Sequence, residues 1–247
     1  MTIQQDAAQA FSLMDLTSLN ENDTEQSILA LLDSVRPEIG LPAAICVYSQ
    51  FVGLVKKELT RRNWESVKVA TVTNFYDGEQ SLESVLNETK QALLEGADEI
   101  DLVIPYKEMI QGELENAKLY VRESKQLCIQ HGACLKVIIE SGELKTPELI
   151  RKASSLAIAA GADFIKTSTG KVPVNATLEA TEIMLDAIKA SGREVGFKAA
   201  GGVRTVGDAS AYLRLAEQKL ECDSLTPVQF RFGASGLLKD IHNTLDA

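Results

Sequence analysis

The sequence predicts a (β/α)8 TIM barrel. Short apolar runs alternate with longer amphipathic ones along the chain. The alternation repeats eight times, and a glycine recurs where helix gives way to strand. Eight strand–helix units within 247 residues fit a closed barrel. A doubly wound open sheet is the alternative, and it is disfavoured because no GxGxxG turn follows the first strand.

Taken in order, strands are expected over 13–16, 43–47, 67–73, 99–104, 135–139, 164–167, 195–198 and 229–232. Each is a short apolar run of the kind a parallel sheet buries on both faces. Helices are expected over 24–35, 50–62, 81–95, 114–130, 147–160, 178–191, 206–219 and 235–245. In 81–95, for example, Leu82, Val85, Leu86, Thr89 and Leu93 recur at helical spacing. Pro147 after Thr146 suits a helix start. Gly96, Gly132, Gly161 and Gly192 each end a helix shortly before a strand, which places them in left-handed caps. No Pro/Gly/Ser-rich linker or low-complexity segment interrupts the pattern, so residues 1–247 read as a single domain.

The net charge of −10 argues against a nucleic-acid or anionic-membrane surface. A small anionic ligand held by a local cluster remains compatible with it. The N-terminal stretch has no secretory pattern, and no apolar run is long enough to span a bilayer, so a cytoplasmic protein is expected. Cys46, Cys128, Cys134 and Cys222 form no Cys-x-x-Cys pair, and the only histidines are His131 and His242. No metal or other cofactor is expected, and chemistry must come from lysine, carboxylate, hydroxyl or thiol.

Four expected strands carry charges where a buried strand should be apolar: Asp101, Lys136, Lys166 and Lys198. Each is flanked by apolar residues that would face the helices, so all four should point into the barrel. In the stretch from Phe164 to Lys171, Phe164, Lys166 and Ser168 share one face, and Ile165 and Thr167 share the other. An internal salt-bridge cluster is one reading, but a buried ion pair is a poor source of stability. The excess of lysine over carboxylate favours another. A lysine crowded by a second and withdrawn from water loses its proton readily and becomes a nucleophile towards carbonyls.

Gly170-Lys171, Gly201-Gly202 and the Gly233–Gly236 stretch, which includes Ser235, follow the last three expected strands. Tight turns alone would explain one such loop. Three adjacent ones point to a phosphate site at the strand ends, helped by a helix N-terminus. Thr17, at the end of the first strand, is a weaker candidate for lining the same mouth, as are Cys46 and Thr169. For Thr17 a plain strand end, and for Cys46 a small buried residue, are the competing readings. Glu143 reads as a carboxylate of a helix's first turn.

The segments LMDLTSLN, AAICVY, VATVTNF, GADEIDLVIPY, LKVIIESGEL, GADFIKTSTGK, GFKAAGGVRT and RFGAS occur in an order and spacing that resemble the deoxyribose-phosphate aldolases along nearly the whole chain. The resemblance implies class I aldolase chemistry: reversible cleavage of 2-deoxy-D-ribose 5-phosphate to acetaldehyde and D-glyceraldehyde 3-phosphate, without a cofactor. It implies that Lys166 forms the Schiff base, that Lys198 lowers the proton affinity of Lys166, that Asp101 relays protons and that Lys136 lines the site. It also implies phosphate contacts from Gly170, Lys171, Gly201, Gly202, Gly233 and Ser235, and a monomer or homodimer. Relatives often have proline and serine where this chain has Ala199 and Gly236. Some carry a tyrosine-ended tail where this chain stops at Ala247. Another Schiff-base aldolase and a non-catalytic sugar-phosphate sensor are the competing readings.

Overall fold

The structure is a computed structural model that describes residues 2–247; Met1 of the expected single-domain span lies outside the described residues. Eight parallel strands close on themselves in sequence order: β1 Met14–Thr17, β2 Ala44–Val47, β3 Lys68–Thr73, β4 Glu99–Val103, β5 Cys134–Ile138, β6 Phe164–Lys166, β7 Gly196–Ala200 and β8 Phe230–Ala234. β8 pairs with β1 and removes both sheet edges. The helices are α1 Ile3–Ser12, α2 Glu25–Asp33, α3 Val52–Arg61, α4 Leu82–Leu94, α5 Tyr106–Ile110, α6 Leu114–His131, α7 Ser141–Leu144, α8 Pro147–Ala160, α9 Leu178–Ser191, α10 Val206–Leu220 and α11 Leu237–Leu245. The expected TIM barrel is therefore the observed one.

Local chemistry explains where the outer helices begin and end. Thr24, Ser81, Thr146, Thr177 and Thr205 each accept a backbone N–H of the first turn with the side-chain oxygen. Gly132, Gly161 and Gly192 close α6, α8 and α9 in the left-handed region, as the repeated joints predict. Two of these joints also tie helix to strand. Asp98 accepts the N–H of Val69 and pairs with Lys56, and Asp163 accepts the N–H of Leu135 and pairs with Lys125.

Several features depart from the expected elements, among them the short helices α5 and α7, which lie outside the expected set. The first helix, α1, precedes β1 and packs against α10 and α11. Its run QQDAAQAF has little large apolar surface, so periodicity misses it, although Thr2 and Gln5 form a capping box. The expected helix 50–62 is divided into a 3-10 turn at Ser49–Phe51 and α3. The last helix begins at Leu237 rather than 235, because Gly233 and Ala234 still belong to β8.

Strand alternation separates two kinds of interior. Ile45, Val69, Ile100, Leu102, Leu135, Val137, Ile165, Phe197, Phe230 and Phe232 face the helices and are buried in the main apolar core. Each such side chain contributes about 1.5–3 kcal/mol of burial. The opposite faces, turned towards the barrel axis, carry the charged residues.

Candidate active site

Register places the inward charges side by side. Asp101 on β4 stands beside Lys136 on β5, Lys166 on β6 beside Lys198 on β7, and Lys198 beside Arg231 on β8. Asp101 is the hub. Its carboxylate accepts from Lys136 Nζ at 2.8 Å, Lys166 Nζ at 2.7 Å and Lys198 Nζ at 2.8 Å. Lys198 also donates to Asp15 on β1 at 2.5 Å. Lys136 lies 2.5 Å from Glu99 and 3.3 Å from Asp15. Arg231 binds Asp15 at 2.6 Å and Glu99 at 3.0 Å, with its guanidinium over the Phe164 ring at 5.6 Å.

The expected interior of one aspartate and three lysines is therefore incomplete. Three carboxylates, Asp15, Glu99 and Asp101, meet four cations, Lys136, Lys166, Lys198 and Arg231. Asp15 and Arg231 fall within the expected strands 13–16 and 229–232, but neither is singled out there as inward. The alternation that marks Asp101 as inward also reaches Glu99, two residues earlier on the same strand. It likewise reaches Asp15 two before Thr17 and Arg231 two before Gly233.

Two glycines make room for this layer. A Cβ on Gly196 would come within 2.2 Å of the Phe164 ring, and one on Gly233 within 2.9 Å of Lys198 Cε. Gly233 thus clears space for a lysine as well as bordering the mouth.

The electrostatics single out one lysine. Burial pushes the Lys166 amine below the ordinary lysine value; Asp101 opposes this and Lys198 adds to it. Crowding by the second lysine is thus the smaller cause, and desolvation the larger. Burial also opposes the charges of Lys136 and Lys198, but the carboxylates around them win and both are raised. Burial would raise Asp101 and Asp15, yet the surrounding cations hold both below the usual carboxylate range. Burial pushes the Cys46 thiol up.

Lys166 is also the lysine of the three that reaches the open. It borders a cavity of about 520 Å³ at the C-terminal ends of the strands. Thr17, Thr169, Gly170, Lys171, Gly201, Gly202, Gly233, Ser235 and Gly236 all border this cavity. Asp101, Lys198, Lys136 and Cys46 have no exposed surface and lie beneath it. Lys136, expected among the substrate contacts, meets Asp101 and Glu99 instead of the cavity. Ala199 faces the helices in the apolar core, so its departure from the relatives' proline does not enter the cavity.

Glycine backbone forms much of the cavity wall. Gly170, Gly201 and Gly202 have φ of +86°, +78° and +90°, which other residues adopt at a cost. Gly236 is the N-cap of α11 and supplies no side-chain cap; the Leu238 N–H donates to the Ser235 carbonyl at 3.3 Å. Lys171 donates its ammonium to the Leu19 carbonyl at 2.6 Å and its N–H to Thr169 Oγ1 at 3.1 Å.

Besides Asp15, Glu99 and Arg231, two contributors nearer the mouth escaped sequence reasoning. Arg204 borders the cavity and adds a second cation to its rim. Glu140 is buried at the end of β5 with φ +52° and accepts the N–H of Thr169 at 3.2 Å, pinning the loop that carries Gly170 and Lys171. Burial raises its carboxyl above the ordinary value. The segment GGVR held a signal for Arg204; nothing in ESGEL distinguishes Glu140 from a loop carboxylate.

The barrel thus sets a nearly buried lysine of lowered proton affinity against a cavity at its C-terminal mouth, where active sites of this fold class lie. The chain belongs to the DeoC/LacD family of aldolases, whose family model matches residues 10–239. Solved structures agree. A provisionally assigned deoxyribose-phosphate aldolase of Toxoplasma gondii ME49, in its apo form, is 25% identical with a TM-score of 0.88, over 99% of this chain and 97% of that one. A second provisional assignment, from Coccidioides immitis, is 27% identical with a TM-score of 0.83, over 96% and 86%. The deoxyribose phosphate aldolase of Aeropyrum pernix, described as a unique tetramer, shares the fold at 23% identity and a TM-score of 0.77, over 98% and 96%. The protein is accordingly an aldolase-family barrel that acts on small molecules. Among the described residues no helix is long and apolar enough to cross a membrane.

Proposed function

We propose that this aldolase cleaves 2-deoxy-D-ribose 5-phosphate reversibly to acetaldehyde and D-glyceraldehyde 3-phosphate through an imine on Lys166. The observation that carries the reading is the contrast among the buried lysines. Lys166 alone is pushed down, and it is also the one that borders the cavity. A neutral amine at the mouth is what carbonyl addition requires.

In this reading the Lys166 amine adds to C1 of the open-chain sugar, and loss of water gives the iminium. Removal of the C3 hydroxyl proton breaks the C2–C3 bond, and its electron pair flows into the iminium to give an enamine. Glyceraldehyde 3-phosphate leaves. Protonation of the enamine carbon and hydrolysis then release acetaldehyde and the amine. Asp101, bonded to Lys166 at 2.7 Å, and Lys198, bonded to Asp101 at 2.8 Å, are the groups placed to move protons at the nitrogen. The phosphate would sit against Gly170, Lys171, Gly201, Gly202, Gly233, Ser235 and Gly236, which border one cavity. Residues 1–247 would serve as one catalytic domain.

Acetaldehyde with sodium borohydride, followed by peptide mapping, tests the imine. A two-carbon adduct on Lys166, absent in Lys166→Ala, is expected. Incubation with 2-deoxyribose 5-phosphate should release both products. A folded protein that forms no adduct refutes the imine, and an adduct without cleavage of this sugar refutes the substrate.

A further inference from the structure

The barrel interior has a charge count that singles out one residue. From each strand the groups facing Lys166 are Asp15 on β1, Cys46 on β2, Glu99 and Asp101 on β4, Lys136 on β5, Lys198 on β7 and Arg231 on β8. β3 presents Ala70 and Val72 to the same interior cluster as Cys46. Glu140 stands above, bound to the Thr169 N–H. Within the ion-paired network, which Glu140 does not join, three carboxylates therefore face four cations. An unbalanced charge withdrawn from water is expensive, so the fourth cation is the one most readily given up.

Which cation yields follows from the pairing. Arg231 does not lose its proton in a protein. Lys136 has carboxylate oxygens at 2.5, 2.8 and 3.3 Å, and Lys198 has them at 2.5 and 2.8 Å. Lys166 has one carboxylate, Asp101 at 2.7 Å, and shares it with both other lysines. The surplus falls on Lys166. With an apolar residue in place of Arg231, three lysines would balance three carboxylates and no lysine would be in excess.

We propose that Arg231 is a positioning residue for the nucleophile: by occupying Asp15 and Glu99 as a permanent cation, it leaves the interior one positive charge ahead and so makes Lys166 the lysine that gives up its proton. Arg231 and Glu99 do not border the cavity, and both act through the shared network. The raised Lys136 and Lys198 and the lowered Lys166 agree with this geometry. The catalytic meaning rests on the imine reading; the proton count does not.

The test is trace acetylation of the whole protein with acetic anhydride across pH, followed by mass spectrometry of the Lys166 peptide, in Arg231→Met, Glu99→Gln and the double variant. Losing the guanidinium should raise the Lys166 midpoint by about one pH unit, tenfold in proton affinity. Losing the Glu99 charge should lower it by a similar amount, and the double variant should return near the wild-type midpoint. Opposite shifts that cancel are not produced by a merely structural role. Unmoved midpoints, shifts of one sign or a double variant that fails to return overturn the proposal. Should Arg231→Met not fold, Glu99→Gln decides alone: a lowered midpoint supports the proposal, and an unchanged or raised one overturns it. Wild-type protein without a borohydride-trapped adduct would refute the imine while leaving these midpoints to be judged separately.

Discussion

Asp101→Asn is the most informative single perturbation, because it removes the charge on which three ammonium groups converge while keeping the shape. The three Nζ atoms lie 2.7–2.8 Å from the carboxylate, and Asp101, Lys136 and Lys198 have no exposed surface. Breaking a buried ion pair by removing one partner costs about 3–5 kcal/mol. For a chain of this size that lowers Tm by roughly 10 °C. The deficit depends on pH. The folded Asp101 carboxyl is held well below its ordinary value, so its stabilisation is complete above the unfolded value of about 4. It is lost as the pH falls towards the folded value, and variant and wild type should converge there. With two carboxylates left, Lys166 loses its counter-charge and its proton affinity should fall further. The amine stays available, so the borohydride-trapped adduct should persist at pH 7, while turnover falls about 10²–10⁴-fold for want of a proton carrier. Calorimetry from pH 7 down to about pH 2, trapping and steady-state rates are the assays. A Tm within about 2 °C of wild type at pH 7, or turnover within a factor of ten, would refute the reasoning.

Other outcomes follow from the same geometry. Gly233→Ala places a Cβ within 2.9 Å of Lys198 Cε and 3.0 Å of Ala200 Cβ, and should cost about 1–3 kcal/mol in denaturant unfolding as Lys198 is displaced; an unchanged midpoint refutes the packing account. Lys171→Met removes a rim cation, and should lower kcat/KM about 10–100-fold for phosphorylated substrate while barely changing it for an unphosphorylated aldehyde. Equal losses on both would count against a phosphate role. The Cys46 thiol, pushed up by burial and without exposed surface, should resist iodoacetamide at pH 8 in the native protein and react in urea, as peptide mapping would report.

Much of the site was legible in the chain because strands obey a two-residue alternation. A charge between apolar neighbours, as at Asp101, Lys136, Lys166 and Lys198, can only point inward when the other face is covered by helices. The same rule extends to Glu99 and Arg231, but each sits near a strand end, where sequence does not say whether the alternation is still in force. Helix α1 was illegible for a different reason: its alanine-rich face is apolar only in the company of α10 and α11.

The sequence by itself determined the class of fold, the inward lysines and the glycine loops at the mouth, because these depend on periodicity and on local backbone conformation. Only the tertiary structure set the three lysines apart by their surroundings. Lys136, Lys166 and Lys198 look alike in the chain, and their difference arises from how many carboxylates each meets and which of them borders the cavity. Proton affinity is a sum over neighbours brought together from β1, β4 and β8, and closing the barrel is what makes them neighbours.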